Sequence, residues 1–392
     1  MLDWETLILS LLYYYGHLVG LSNFEFDWNT GRVFTAKWST LYAIAIDSII
    51  FILYIYHWTG NTNIANVIFG KANKLHEYVV VIMAGMRIAT GLFTVIHRWY
   101  QRKRLMDLTK QVLRIYISRP QVKRIYRKGI LIKFISGSVT DLLQAAFILN
   151  VMGQVDSQFF LGMALQFWMA AILNLAISQH YLIILFVRAQ FRLLNSELRQ
   201  VIAEAMELSW NPPRPGAFMT RCCYLSDKLE DIAKIQSQLH KIVNQLEETF
   251  GIQGALVYAG YYLSSVSTIY LTYSTLKHGY ASMNMTLTAW ILSCFWCFFY
   301  YLDGMLNLSV MINVLEDHKE MLHLLEQRTL FAPGLDVRLE ESFESLTLQL
   351  IRNPLKIDVM KFYEVDRSST MAMFGNLITH SIFLIQYDME NF

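Results

Sequence analysis

The sequence predicts an all-α integral membrane protein with seven transmembrane helices, a cytoplasmic N-terminus, an extracellular C-terminus and a cytoplasmic helical anchor domain. Three observations predict it. Of the 392 residues, 54% are hydrophobic and only 16% are charged, where a soluble domain carries about 25%. Seven stretches reach the ~20 mostly apolar residues that a bilayer crossing requires. Lysine and arginine are divided very unequally between the two sets of connections.

The apolar stretches are residues 36–58, 76–97, 129–152, 158–187, 251–276, 284–310 and 368–387. An eighth, 4–20, is shorter and rich in tyrosine (Tyr13, Tyr14, Tyr15), and reads as an interfacial helix lying against the membrane. The start, Met1-Leu-Asp-Trp-Glu5, is acidic where a secretory signal would be basic. The chain then divides into 1–35, an N-terminal cytoplasmic segment; 36–187, helices one to four; and 188–250, a cytoplasmic helical extension. Residues 251–310 follow as helices five and six, 311–367 as cytoplasmic anchor helices, and 368–392 as a seventh helix with a short extracellular tail.

With the N-terminus inside, the cytoplasmic pieces 1–35, 98–128, 188–250 and 311–367 hold 27 of the 33 lysines and arginines. The outer pieces 59–75, 153–157, 277–283 and 388–392 hold three, and Lys37, Arg87 and Lys133 fall within helices. Segment 98–128 is short enough to weigh fully in the positive-inside rule and supplies eleven alone. The outer connections are short; the sequon Asn284-Met-Thr286, at the outer end of the span 284–310, faces outside but lies too close to the membrane to favour glycosylation. Two inner connections are long, and both carry helical periodicity: Leu225, Leu229, Ile232, Ile235, Leu239 and Ile242 recur every three or four positions, as do the apolar residues of 315–330. The membrane helices on either side therefore continue into the cytoplasm and pack there, with Asn211-Pro-Pro-Arg-Pro-Gly216 as the turn between two of them.

Nothing in the chain forms a catalytic constellation. There is no phosphate-binding glycine loop, no HExxH and no GxSxG, so no enzymatic activity and no cofactor are expected. Cys294-x-x-Cys297 lies inside an apolar run without further ligands and reads as helix-face packing rather than a metal site. His318 and His323 fall on a charged face expected to be solvated. Asp47, Arg87 and Asp141 sit near the middle of their helices, where an ionisable residue needs a partner or a function. An internal Arg87–Asp141 or Arg87–Asp47 pair is the plainer reading, and a polar ligand cavity the alternative. Asp303, near a cytoplasmic helix end, is expected to reach water.

Aromatic residues crowd the outer halves of the middle helices: Phe159, Phe160, Phe167 and Trp168; Tyr258, Tyr261, Tyr262, Tyr270 and Tyr273; Trp290, Trp296, Phe298 and Phe299. Ordinary packing and an interfacial belt explain many of them singly. Together they suit a pocket for a moderately hydrophobic small molecule, and Phe167, Trp168, Tyr258, Tyr261, Tyr262 and Trp290 are its candidate lining. The last helix differs from the rest. Residues 368–387 carry no charge, yet eight of the twenty are polar. Thr379, Ile382 or Phe383, and Gln386 share one helical stripe that suits the wall and gate of a pore. Asp388 and Glu390 follow at its outer mouth, where a ring of copies would attract cations. One such helix cannot enclose a pore, whereas a cyclic oligomer brings several to one axis.

The ending Thr379-His-Ser-Ile-Phe-Leu-Ile-Gln-Tyr387 resembles the C-terminal signature of insect gustatory receptors: Thr-Tyr, five hydrophobic residues, then Gln-Phe. His380, Ser381 and Tyr387 depart from it. Ile357–Asp366 and Phe374-Gly375 are similar to the family's approach to the last helix. Tyr13-Tyr-Tyr-Gly16, Ala176–Tyr181 and Phe250-Gly-Ile-Gln-Gly254 look most like a fruit-fly group of bitter-taste receptors. The resemblance implies a ligand-gated cation channel subunit in the plasma membrane of sensory-neuron dendrites and axons, assembled as a homo- or heterotetramer. Its partners would be a small-molecule tastant, other gustatory receptor subunits and membrane lipid, with no nucleic acid. Carried over by position, Thr379 and Gln386 are the motif's polar residues, and Ile382 and Phe383 form the gate. If His380 faces the pore or a subunit contact, gating would depend on pH.

Two other classes fit seven helices and a small ligand. A G-protein-coupled receptor would place 27 basic residues outside, and the chain has neither Asp-Arg-Tyr after its third helix nor NPxxY in its last. A transporter would show internal repeats or paired broken helices, and none is apparent.

Overall fold

The computed structural model describes residues 4–27, 30–59, 74–152, 157–278, 286–328, 335–359 and 363–391. It is almost wholly helical. The helices are α1 (Trp4–Val19), α2 (Lys37–Thr59), α3 (Lys74–Tyr100), α4 (Arg102–Ser118), α5 (Lys123–Met152), α6 (Ser157–Trp210), α7 (Pro215–His278), α8 (Leu287–Arg328), α9 (Val337–Arg352) and α10 (Arg367–Asn391). A 3-10 turn, Pro120–Val122, joins α4 to α5. Two antiparallel pairs complete the described residues: β1 (Glu25–Phe26) with β2 (Val33–Phe34), and β3 (Asp358–Val359) with β4 (Tyr363–Glu364). The sequon's Asn284 lies outside the described residues.

Three helices are longer than any bilayer requires. Helices α6, α7 and α8 have 54, 64 and 42 residues. At 1.5 Å per residue α7 extends roughly 95 Å, about three times the hydrocarbon thickness. Burial divides along these rods. Leu194, Leu198 and Val201 of α6 meet Leu225, Leu229 and Ile242 of α7, Val314 and Met321 of α8, and Leu339, Phe343 and Leu346 of α9. This four-helix bundle is the water-type core, with polar groups outside: Asp317 bridges Arg188 and Arg192, Arg199 meets Glu320, and Arg338 meets Asp227. Helix α6 ends at Trp210 and α7 begins at Pro215, so the reversal falls on the proline-rich segment, where proline cannot continue a helix.

The other end is inverted in polarity. Helix α2 exposes Trp38, Ile52 and Ile55, and α10 exposes Met371, Phe383 and Met389; faces of this kind require lipid or a protein partner. Among the described residues, five helical stretches are long and apolar enough to cross a membrane: Lys37–His57, Tyr78–Tyr100, Pro120–Asn150, Phe160–Trp210 and Leu287–Gln327. The upper part of α7 and the whole of α10 fall short of that apolarity because hydroxyls and amides interrupt them.

Helix α1 is docked on the bundle rather than lying apart from it. It runs beside α5, from a Glu5–Arg127 ion pair at 2.9 Å to a Tyr15–Asp141 hydrogen bond at 3.2 Å, while Leu7, Leu11, Tyr14 and Leu18 point outward. It stops at Gly20, whose φ of +89° is a left-handed conformation that glycine adopts without strain. Any Cβ there would sit 2.9 Å from the Ile46 side chain.

Candidate functional site: an aromatic cavity and a singly supported terminal helix

A cavity of about 580 Å³, open on one side, lies between α3, α5, α6, α7 and α8. Three rings form one wall: Trp296 and Tyr300, one helical turn apart on α8, stack at 5.5 Å, and Tyr261 of α7 meets Tyr300 at 4.8 Å. Gly304, one turn further along, lets α8 approach that close; a Cβ there would stand 3.1 Å from the Tyr261 ring. The Arg87 guanidinium of α3 lies over both α8 rings, 5.1 Å from Trp296 and 5.9 Å from Tyr300. Gln144 and Asn174 supply amides, and the Gln144 Oε1 is buried without a hydrogen-bond partner. The lining is thus mostly apolar with a cation and a few convergent polar groups.

This geometry corrects the expected internal pairing. Arg87 pairs with neither Asp47 nor Asp141; its charge rests on aromatic faces, which attract cations through their quadrupole. Asp47 accepts from Trp99 Nε1 at 2.7 Å, and Asp141 accepts from Asn174 at 2.6 Å and from Tyr15. The ion pair at membrane depth is a different one, Lys133–Asp303 at 2.6 Å, with side chains 1% and 6% exposed. Asp303 therefore does not reach water. Nor is His318 solvated: it is buried edge-on against Phe191, 5.6 Å between ring centres, while His323 is exposed.

Of the six residues picked as pocket lining, Tyr261 is in this cavity. Tyr258, one turn earlier, donates to the Met311 sulfur at 3.0 Å and lines a second cavity below. Tyr262 faces α10. Trp168 packs against a separate cluster that includes Val19, Ile50, Val95 and Ile172, and Phe167 and Trp290 lie off both cavities. Trp296, Tyr300 and Arg87 form the wall instead. Their signal in the sequence was an arginine in mid-helix, which a cavity explains as well as a carboxylate does.

Helix α10 begins at a capping side chain, with Ser369 N donating to Asp366 Oδ1 at 2.6 Å. Along its length its close neighbour is α7. Thr370, Leu377, Ser381 and Asp388, spaced seven, four and seven apart, are its buried stripe. Three polar contacts fasten it to α7: Tyr262 Oη to His380 Nδ1 at 2.5 Å, Tyr270 Oη donating to Asp388 Oδ1 at 2.9 Å, and Lys277 Nζ to Asp388 Oδ2 at 3.6 Å; at its start Arg367 pairs with Glu316 of α8 at 2.7 Å. Asp388 is thus fully buried in the single chain, whereas Glu390 is exposed. Thr379, Ile382, Phe383 and Gln386 lie together on the face away from α7, with Ile382 50% and Phe383 68% exposed.

Fold and site together define a polytopic helical membrane protein with an aromatic cavity between its helices, and no cluster of His, Cys, Asp or Glu that could hold a metal ion among the described residues. The comparisons place it further. The 7tm Chemosensory receptor family matches residues 9–391. The Drosophila melanogaster proteins named "Putative gustatory receptor 36c" and "36a" are 67% and 50% identical to the chain, and "59d" is 35% identical; each alignment covers all of both chains. Among solved structures, the insect olfactory receptor OR5 from Machilis hrabei superposes with a TM-score of 0.65 over 97% of each chain at 11% identity. OR5 in complex with eugenol gives 0.54 over 98% of this chain and 100% of that one. The chain belongs to the insect gustatory receptor family, within the 7tm chemosensory receptors. It is a membrane-spanning chemosensory receptor and not an enzyme.

Proposed function

We propose that the protein is a subunit of a ligand-gated cation channel that detects bitter, aversive small molecules in taste neurons. The observation that carries the channel reading is α10. It is too polar for a lipid-facing span, and its Thr379–Gln386 face is covered by nothing among the described residues. Four copies around an axis would cover that face and turn it into a pore wall, with Ile382 and Phe383 as the apolar constriction and Thr379 and Gln386 as its polar steps. Seven spans, the upper part of α7 and α10 among them, agree with the basic residues on one side and set the N-terminus in the cytoplasm. The long bundle of α6–α9 is then the cytoplasmic anchor between subunits. Glu390 is the mouth carboxylate on the uncovered face, and Asp388 joins it only if its contacts with Tyr270 and Lys277 open.

The outer cavity with Arg87, Trp296, Tyr300 and Tyr261 is the tastant site. Its aromatic wall suits a flat, moderately hydrophobic molecule, and a relative's structure with eugenol supports a ligand of that size. Bitter compounds are the class implied by the resemblance of Tyr13–Gly16, Ala176–Tyr181 and Phe250–Gly254 to fruit-fly bitter-taste receptors. Patch-clamp recording from cells expressing the chain, alone and with other gustatory receptor subunits, tests the reading under G-protein block. A rapid cation current that Gln386→Ala alters is the expected result. A response that disappears with G-protein signalling would overturn it.

A further inference from the structure

A second cavity, of about 660 Å³, lies below the first, where α7 passes from the bundle into the membrane span. Its walls come from α6, α7 and α8, and from β3 of the hairpin that leads into α10. The lining is mostly apolar, and glycines at 251, 254 and 304 leave helix backbone bare along it. Two carboxyl groups line it, Glu247 from α7 and Asp358 from β3. Neither is in an ion pair among the described residues; Lys356, beside the hairpin, is bound to Glu364 at 3.6 Å. No lysine or arginine lines the space. Arg98 lies 4.9 Å from the centre of the Phe250 ring, and the His180 ring, 5.6 Å from that of Phe250, also lines the cavity. Asn307, 6% exposed, also lines the cavity, and its Oδ1 is buried without a hydrogen-bond partner while its amide donates to the Asp303 carbonyl.

Buried acceptors without donors and carboxylates without cations are costly. Burial pushes the Glu247 carboxyl up to about 7, although the Asp358 amide donates to it at 3.0 Å. What would satisfy all of these at once is an N–H-bearing cation. Phe250 and Tyr258 add ring surface for an apolar or aromatic body attached to it.

We propose that this cavity binds an organic ammonium: a protonated amine held by Glu247 and Asp358, donating to Asn307 Oδ1, with its hydrocarbon part among Phe250, Tyr258, Val257 and Met311. The site differs from the outer cavity in charge, because the outer one presents Arg87 and this one presents two acids. An amine seated here joins β3 to α7 immediately before α10. On the channel reading it would therefore modulate gating from the base of the pore helix, but binding itself does not depend on that reading. The ammonium has two sources, a free amine or the headgroup of an aminophospholipid.

The test uses the full chain in nanodiscs of phosphatidylglycerol, titrated with monodansylcadaverine and read by dansyl fluorescence. Saturable binding is expected, weakened at least about tenfold by Glu247→Gln, which keeps an acceptor for the Asp358 amide but removes the charge. Trp296→Ala, in the outer cavity, should leave the affinity unchanged. The N-acetylated probe, which has lost its charge, should bind at least about tenfold more weakly to the wild type, a comparison that needs no variant to fold. Equal affinity for the two probes, or wild-type affinity in Glu247→Gln, would overturn the site, as would loss of binding in Trp296→Ala alone. Repeating the titration with phosphatidylethanolamine added distinguishes the sources. Displacement of the probe assigns the site to the lipid headgroup, and unchanged binding assigns it to free amines.

Discussion

Replacing Lys133 with methionine removes the cation from an ion pair that water does not reach. Lys133 Nζ lies 2.6 Å from Asp303 Oδ2, with side chains 1% and 6% exposed, and 5.3 Å from the centre of the Tyr181 ring. The change leaves a carboxylate in an apolar interior whose other oxygen already lacks a donor. Removing one partner of such a pair costs about 3–5 kcal/mol, whereas replacing both with apolar groups of similar volume is often neutral or stabilising. Lys133→Met and Asp303→Leu are therefore each expected to lower the thermal midpoint by several degrees, roughly 5–10 °C. The double variant should recover most of the loss. Fluorescence-detected size-exclusion chromatography after graded heating in detergent measures all four proteins. If Lys133→Met melts with the wild type, the pair is not buried as described. If the double variant is no better than the worse single, the groups are not coupled to each other.

On the proposed channel reading, the aromatic cavity and α10 give three further outcomes. Trp296→Ala takes away both the stacked wall and the face under Arg87, and should weaken potency about tenfold for aromatic agonists while surface expression persists; unchanged potency for every active compound would move the site elsewhere. Glu390→Gln removes the exposed carboxylate at the outer end of α10 and should lower unitary cation conductance in dilute salt, where screening is weak; equal conductance would take Glu390 out of the ion path. Tyr262→Phe removes the bond to His380 and should shift the efficacy of all agonists by one common factor, about fivefold for a net hydrogen bond of ~1 kcal/mol. A shift that differs between agonists would instead place Tyr262 in ligand binding. His318 gives a pH prediction for the bundle. Burial, with smaller contributions from His240 and Lys319, pushes its imidazole down to about 4. Between about pH 6.5 and 4 the unfolded chain takes up a proton that the folded one refuses, so stability is lost as pH falls through that window, by roughly 3 kcal/mol at most. His318→Leu should flatten the decline in melting temperature between pH 7 and 5, and an unchanged decline would exclude this histidine as its source.

The long helices were legible because their signals are local and repeated. Leu225–Ile242 carries an apolar stripe over five turns, and such a stripe has one helical solution, so the sequence alone extends α7 beyond its apolar span. The partners of charged residues were not legible. Arg87 had two candidate carboxylates at matching depth, but which helix faces which is set by rotation about axes that the periodicity of a single helix leaves free. In the structure α3 turns Arg87 toward α8, and the two aspartates find Trp99 and Asn174 instead. His318 was misjudged for a related reason. Charges surround it in sequence, yet on a helix its neighbours at three and four residues, Leu315, Val314, Met321 and Leu322, are apolar, and they face inward with it. Asp388 and Glu390 look equivalent as letters two apart, but two residues on a helix are about 200° apart. One meets α7 and the other does not.

Helix α7 is where the two cavities and the terminal helix meet, and its geometry says how they are joined. Tyr258 and Tyr261 are three residues apart and point into the lower and outer cavities. Tyr262, about 100° further around the axis, touches α10, and Tyr270 two turns on touches it again. A ligand that displaces the Tyr261 ring cannot do so by bending the side chain freely, because Gly304 and Tyr300 already pack against it. The displacement that remains is rotation or translation of α7 itself. Rotation carries Tyr262 and Tyr270 in the same sense, since both lie on one rigid helix. Both of their bonds end on polar atoms of α10, whose other ion pair among the described residues, Arg367 with Glu316 of α8 at 2.7 Å, holds only its first residue. The weakly supported helix is therefore the part of the molecule that a small movement of α7 can move, while the densely packed α6–α9 bundle holds the far end of the same helix still.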